Sequence, residues 1–145
     1  MKDTKEFLQL ANSMFNGLVQ IDSDGWVVLW NTAAERITGY SSRQLVGKPF
    51  ADKSPKHLSD DGKELQKDSA PLLMTIKDGR PREVFLSIQH ADGYQIPVII
   101  RTSPIKDEKG KIIGGVEIFT DNRHTIASFQ NGQKTEDTVL IDPLT

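Results

Sequence analysis

Apolar and polar residues alternate in short runs along this chain, and turn residues separate the runs. Before residue 31, two apolar runs flank the turn segment Asp22-Ser23-Asp24-Gly25. Asp-Gly between two apolar runs is typical of a hairpin, because glycine adopts a positive φ without steric cost. Both runs are rich in β-branched or aromatic residues, which favours strands over a helix. The pattern therefore predicts a β-hairpin.

After the hairpin the spacing of apolar residues becomes helical. Asn31 or Thr32 is suited to cap a helix that ends at Gly39. Ser41 and Gln44 have the spacing of a capping box, which predicts a second short helix directly afterwards.

The next stretch, residues 48–68, has no clear period and is interrupted by proline and glycine. We expect a loop with one short helical turn. A further helix is predicted with Ser69 as its cap, Pro71 in its first turn and Gly79 at its end.

Three more strands are predicted from the alternation of apolar and polar residues. They are Arg82–His90, Tyr94–Pro104 and Lys111–Thr120. With the hairpin they make five antiparallel strands, and the helices are inserted after the second. This order predicts an α+β domain whose short helices cover one face of the sheet.

An amphipathic helix is predicted in residues 1–15. Phe7, Leu10, Ala11 and Met14 share one of its faces. One interpretation is that this face packs on its own domain. The other is a homodimer contact through Phe7, Leu10 and Met14, because the stripe is wide for so short a helix.

Composition narrows the class of protein. The chain has 145 residues and a net charge of −2, which is typical of one globular domain without the clustered basic face that nucleic acid requires. No apolar run reaches the ~18 residues of a spanning helix, so no membrane segment is expected. The chain has no cysteine, which excludes disulfides and thiolate metal sites. The expected compartment is the cytoplasm.

No catalytic or metal-binding set is recognisable. His57, His90 and His124 are far apart and lack the spacing of metal ligands. His90 opens the segment His-Ala-Asp-Gly, where capping of a turn is its expected role. The chain as given is therefore expected to be non-catalytic.

Two stretches together resemble a known family. IDSDGWVVLWNTAAERITGYSSRQLVGKPF is similar to the opening half of a PAS domain, and HADGYQIPVIIRTSPIKDEKGKIIGGVEIFTD is similar to its closing strands. PAS domains are sensory modules of bacterial signalling proteins. The resemblance implies a PAS fold in residues 16–121, preceded by a helix that PAS relatives often use to dimerise.

The resemblance also implies a small cavity between the sheet and the inserted helices, where inward residues could hold a cofactor or metabolite. The alternative is that these residues only fill the core. The candidate residues are Val28, Trp30, Ile37, Leu72, Leu73, Ile76, Val98, Ile100 and Ile118.

The resemblance raises the question of haem or flavin. Haem-binding relatives use a histidine in the inserted region, and His57 is the candidate here, but its polar neighbours indicate a surface loop. Flavin chemistry through a cysteine adduct is excluded because cysteine is missing. Non-covalent flavin stays an alternative, although the tryptophan that such relatives carry beside the first late strand is not present at residues 81–84. The cofactor is therefore left open, and a small metabolite or no ligand is expected rather than haem or flavin.

Residues 122–145 are polar and are expected to form a linker. The last five residues, IDPLT, resemble the start of a GGDEF domain, the catalytic domain of diguanylate cyclases. The resemblance implies a sensor that regulates cyclic-di-GMP synthesis through dimer rearrangement, with Asp121 at the point of transmission. The alternative is a dimerisation module of a histidine kinase or another signalling protein, with no bound ligand.

Overall fold

The structure, a computed structural model, describes residues 2–123 and side chains from residue 4 onward. Its strands are β1 (Gly17–Asp22), β2 (Val27–Trp30), β3 (His57–Leu58), β4 (Arg82–Gln89), β5 (Gln95–Lys106) and β6 (Ile112–Asp121). Its α-helices are α1 (Lys2–Asn12), α2 (Thr32–Thr38), α3 (Ser42–Leu45), α4 (Phe50–Lys53) and α5 (Pro71–Asp78), with a 3-10 turn at Lys67–Ser69.

The strands form one antiparallel sheet in the order β2-β1-β6-β5-β4-β3. The predicted α+β fold is confirmed, but the described sheet has six strands and not five. The additional strand, β3, has only two residues and lies within the stretch expected to be a loop. Its pairing with β4 depends on a tertiary contact, which the local sequence does not encode.

The inner face of the sheet is the side on which Val19, Ile100 and Phe119 lie. These residues share one buried cluster with apolar residues of α2, α3, α4 and α5. The insertion of four short helices after the hairpin therefore covers one face, as predicted.

The outer face carries a smaller cluster of Ala11, Leu18 and Leu29. Ala11 anchors α1 here, so part of the helix packs on its own domain. Phe7 and Leu10 remain 47% and 65% exposed. Packing of the helix on its own domain is thus confirmed at Ala11, and the homodimer contact through the exposed side stays a prediction.

Met14 is not part of that exposed face. It lies beyond the last residue of α1 and is partly buried against the outer cluster. The predicted helix over residues 1–15 is too long, because α1 ends at Asn12, and the dimer contact through Phe7, Leu10 and Met14 stays a prediction.

The predicted caps are confirmed at two of three helices. Asn31 caps α2 by accepting a hydrogen bond from the Ala34 N–H at 2.9 Å. Ser41 and Gln44 form the capping box of α3. Ser69, in contrast, does not cap α5. It belongs to the preceding 3-10 turn, and no side chain caps α5.

A β-bulge in β2 changes which side chains face inward. Gln20 pairs with Leu29 and Ile21 with Val27, so Val28 is an additional residue without a partner in the register. Val28 is 49% exposed, whereas Trp30 is buried. The prediction that Val28 faces the interior is therefore wrong, because it assumed uninterrupted alternation.

The structure describes the chain up to residue 123, just after β6. The rest of the predicted linker, from residue 124 onward, and the segment that resembles the start of a GGDEF domain lie outside the described residues.

Candidate functional site

The interior between the inner face and the helices contains most of the predicted site residues. Those in the buried inner cluster, or packed against it, are Trp30, Ile37, Leu72, Leu73, Ile76, Val98 and Ile100. The strands supply one wall and helices α2 and α5 the other. These positions fit both a core residue and a residue that contacts an interior ligand.

Ile118 lies on the other side of the sheet. It packs against the outer cluster of Ala11, Leu18 and Leu29. Side chains alternate along β6, and Phe119 belongs to the inner cluster. Ile118 therefore faces outward, and the prediction that it lines the interior is wrong.

Glu117 faces inward from the same strand, two residues before Phe119. It lies opposite Thr102 of β5 on one side and Val19 of β1 on the other. Only 3% of Glu117 is exposed, and its Oε1 atom has no hydrogen-bond partner among the described residues. Burial raises the pKa of this carboxyl group to about 8, since the charged form is disfavoured away from water.

Glu117 is not among the residues that the sequence pattern predicts for the interior. The available signal was its alternation with Phe119, since the two positions share a face of β6. A glutamate in a strand is more often exposed, so composition gave no reason to place it in the core.

Two threonine hydroxyl groups lie beside this position. Thr75 of α5 and Thr102 of β5 are 2.6 Å apart at their oxygen atoms. Thr75 donates to the carbonyl oxygen of Arg80 at 2.9 Å and accepts a hydrogen bond from Arg82 at 3.2 Å. The hydroxyl pair connects Arg82 with Thr102, which lies opposite Glu117 without a hydrogen bond between the two side chains.

His57 is buried, although its sequence neighbours are polar. It lies in β3 opposite Ile88 and is 7% exposed, with its ring 6.1 Å from that of Phe50. The surface-loop expectation is wrong, because the pairing of β3 with β4 turns this residue inward. Burial lowers the pKa of the imidazole to about 4, although a hydrogen bond with the backbone of Pro55 opposes the shift.

A cleft of about 320 Å³ lies at His57. Its lining includes Lys53, Lys56 and Lys67, together with Asp52. Lys67 and Asp52 form an exposed ion pair at 3.5 Å. The neutral imidazole is thus surrounded by a polar, solvent-facing rim.

The predicted role of His90 as a turn cap is confirmed. Its Nδ1 atom accepts a hydrogen bond from the Asp92 N–H at 3.0 Å. The imidazole also stacks on Tyr94, with ring centroids 4.3 Å apart. The guanidinium of Arg123 lies 5.8 Å from the Tyr94 ring centre and pairs with Asp121. This stack connects the β4–β5 turn to the end of β6.

Within residues 2–123, no group of three or more His, Cys, Asp or Glu residues is placed to hold a metal ion. Within the same part of the chain, no helix is both long and apolar enough to span a bilayer.

The family model described as "PAS domain" matches residues 13–124. The chain is 33% identical over 107 residues to the signal transduction histidine-protein kinase AtoS of Escherichia coli (strain K12), which covers 73% of this chain and 16% of AtoS. It is 24% identical over 110 residues to a phytochrome of Picea abies, which covers 76% of this chain and 8% of the phytochrome. The chain thus spans a small part of both curated relatives.

Among solved structures, the PAS domain of a protein from Colwellia psychrerythraea superposes with a TM-score of 0.62 at 21% identity. The match covers 82% of this chain and 96% of that structure. At this identity the likeness concerns the fold.

Proposed function

We propose a ligand-sensing function for this chain, which belongs to the PAS domain family. PAS domains are sensory modules of signalling proteins, and the domain itself is not catalytic. We further propose that a small metabolite binds between the sheet and the helices and changes the arrangement of two copies of the domain. We also propose a cytoplasmic location for this domain.

The observation that supports the proposal is that strand β6 contacts both walls of the interior and then leads out of the domain. Gly115 lies against α5, since a Cβ atom placed there would be 2.7 Å from Ile76. Phe119 packs against Trp30, with ring centroids 6.2 Å apart. The strand then ends at Asp121, so a movement in the interior is coupled to the residues that follow the domain.

The interior ligand would contact residues of both walls. Trp30, Val98 and Ile100 belong to the sheet, and Ile37 and Leu72 belong to the helices. The change of state requires that the ligand binds one arrangement more tightly than the other. If no ligand binds, the domain serves as a dimerisation module alone.

Two output domains are supported by different observations. The five residues IDPLT at 141–145 support a GGDEF domain and hence regulation of a diguanylate cyclase. The similarity to AtoS supports a histidine kinase. The gene sequence that follows Thr145 distinguishes them, because a Gly-Gly-Asp/Glu-Glu-Phe motif is expected for the cyclase and a phospho-accepting histidine helix for the kinase.

The interior ligand is tested by native mass spectrometry and an absorbance spectrum of freshly purified protein. We expect an additional mass of a few hundred daltons at most, lost on denaturation, with no visible absorbance band. A band near ~400 or ~450 nm would instead indicate haem or flavin. A bare protein mass, with no thermal stabilisation by a metabolite panel, would contradict ligand sensing.

A further inference from the structure

We infer that the interior ligand carries a nitrogen group with at least two hydrogen-bond donors, an ammonium or an amidinium, and that this group binds between Glu117 and Thr102. The inference rests on the proposed interior binding site and specifies the chemistry of what occupies it.

The hydroxyl protons near Glu117 can all be used elsewhere. Thr75 has one hydroxyl proton and donates it to the carbonyl oxygen of Arg80. In that arrangement Thr102 donates its own proton to Thr75 in the 2.6 Å contact between the two hydroxyl groups. Neither hydroxyl group then donates to Glu117, whose Oε1 atom has no partner among the described residues. Once Glu117 is ionised, its carboxylate and the Thr102 oxygen are both acceptors.

Thr102 and Glu117 are directly opposite each other on neighbouring strands, and both face the interior. Directly opposed residues in an antiparallel pair have Cβ atoms about 5 Å apart. No hydrogen bond joins the two side chains, so one donor group of a ligand can reach both.

The nearby cations of the protein already have partners. Arg82 faces inward opposite Thr102, but its guanidinium donates to both carboxylate oxygens of Asp78 at 2.9 and 2.5 Å. Arg123, just after the end of β6, is paired with Asp121. An ionised Glu117 thus has no partner of opposite charge among these groups, and an unpaired buried charge is costly.

The surroundings define the rest of the ligand. The inner cluster around this position is apolar and includes Trp30, Leu72, Ile100 and Phe119. An apolar body with a single cationic end would bury its carbon atoms there while its nitrogen group pairs with Glu117. A ligand with several charges does not fit such walls.

The experiment uses two pairs of probes that differ in the donor group. Benzamidine is compared with benzamide, and 2-phenylethylamine with 2-phenylethanol. Thermal shift and titration calorimetry are performed on the full chain at pH 7. We expect each cation to bind at least tenfold more tightly than its neutral partner.

Two variants test the assigned residues. Glu117→Gln retains the shape of the side chain and is expected to abolish the preference for the cation. Thr102→Val is expected to reduce it, with the binding of the neutral probes unchanged. Calorimetry in two buffers of different ionisation enthalpy should detect the release of a proton on binding to the wild-type chain, but not to Glu117→Gln.

Wild-type protein that shows no preference for the cation in either pair would overturn the inference. If the neutral probes bind as well as the cations, the proposed interior site remains and only the donor chemistry is wrong. If none of the four probes binds and native mass spectrometry shows a bare protein, the proposed function fails as well.

Discussion

The side-chain amide of Asn31 donates to the carbonyl oxygen of Ala11 at 2.8 Å and so connects the beginning of α2 to the end of α1. The same side chain accepts hydrogen bonds from the N–H groups of Leu18 and Ala34, each at 2.9 Å. It also donates to Asn16 at 3.1 Å. The buried side chain of Asn31 therefore forms hydrogen bonds with α1, with β1 and with the N-terminus of α2.

We expect Asn31→Ala to reduce the free energy of unfolding by about 3 kcal/mol, because it leaves several buried backbone groups without partners. Urea unfolding followed by circular dichroism measures the loss. Asn12→Ala is the matched control, since Asn12 also accepts a helix N–H, that of Thr32, at an exposed position. A change there of about 1 kcal/mol or less is expected. Equal effects of the two substitutions would contradict this account of Asn31.

Glu117 should make the stability of the domain depend on pH. Its folded pKa of about 8 is above the ordinary value of 4.5, so the folded state binds the proton more tightly. This contribution is complete below pH 4.5 and is lost as the pH rises through 8. The free energy of unfolding should fall by up to about 1.4 kcal/mol per pH unit in this window.

Urea unfolding between pH 5 and 9 checks this expectation. Glu117→Gln should flatten the profile, whereas Glu108→Gln, at an exposed turn position, should leave it unchanged. A wild-type profile already flat over this range would show that Glu117 is not held in its protonated form.

His57 should make the free energy of unfolding depend on pH in the opposite direction to Glu117. Its folded pKa of about 4 is below the ordinary value of 6.5, so the stability it contributes is present above pH 6.5 and lost as the pH falls through 4. Because Glu117 has the opposite effect in part of this range, the comparison is made in a Glu117→Gln background. Adding His57→Asn should reduce the acid sensitivity, and titration of the His57 ring by NMR should show a midpoint near 4. A midpoint near the ordinary value would contradict burial of the ring.

The exposed side of α1 should form a dimer contact. Leu10→Glu places a charge among exposed apolar residues and is expected to weaken dimerisation at least tenfold, as measured by analytical ultracentrifugation. Gln9→Glu adds the same charge at a neighbouring exposed position and should have a smaller effect. Equal dissociation of both variants, or a monomeric wild type, would exclude this face as the interface.

Local sequence patterns predicted five of the six described strands and the caps at Asn31 and Ser41, because these features depend on residues close together in the chain. The same patterns failed at Val28, since a bulge interrupts the alternation without an evident sequence signal. Even alternation would place Trp26 and Trp30, four residues apart, on one face of a strand, but with the bulge between them Trp26 is exposed and Trp30 is buried.

The interior could be predicted only in part. Apolar residues such as Val98 and Ile100 followed from alternation and helical spacing. His57 and Glu117 did not, because their burial depends on tertiary pairing, in one case with β4 and in the other with β1 and β5.

The two edge strands of the described sheet, β2 and β3, have a consequence for solubility. On one side, Val27 exchanges hydrogen bonds with Lys48 and Gly47, and the bulge at Val28 distorts the rest of the strand. On the other side, β3 provides only two residues. Short or irregular edge strands are poor templates for the addition of a strand from another molecule. Even at high local concentration the domain should therefore resist fibre formation through its sheet, and its copies are left to associate through faces and helices.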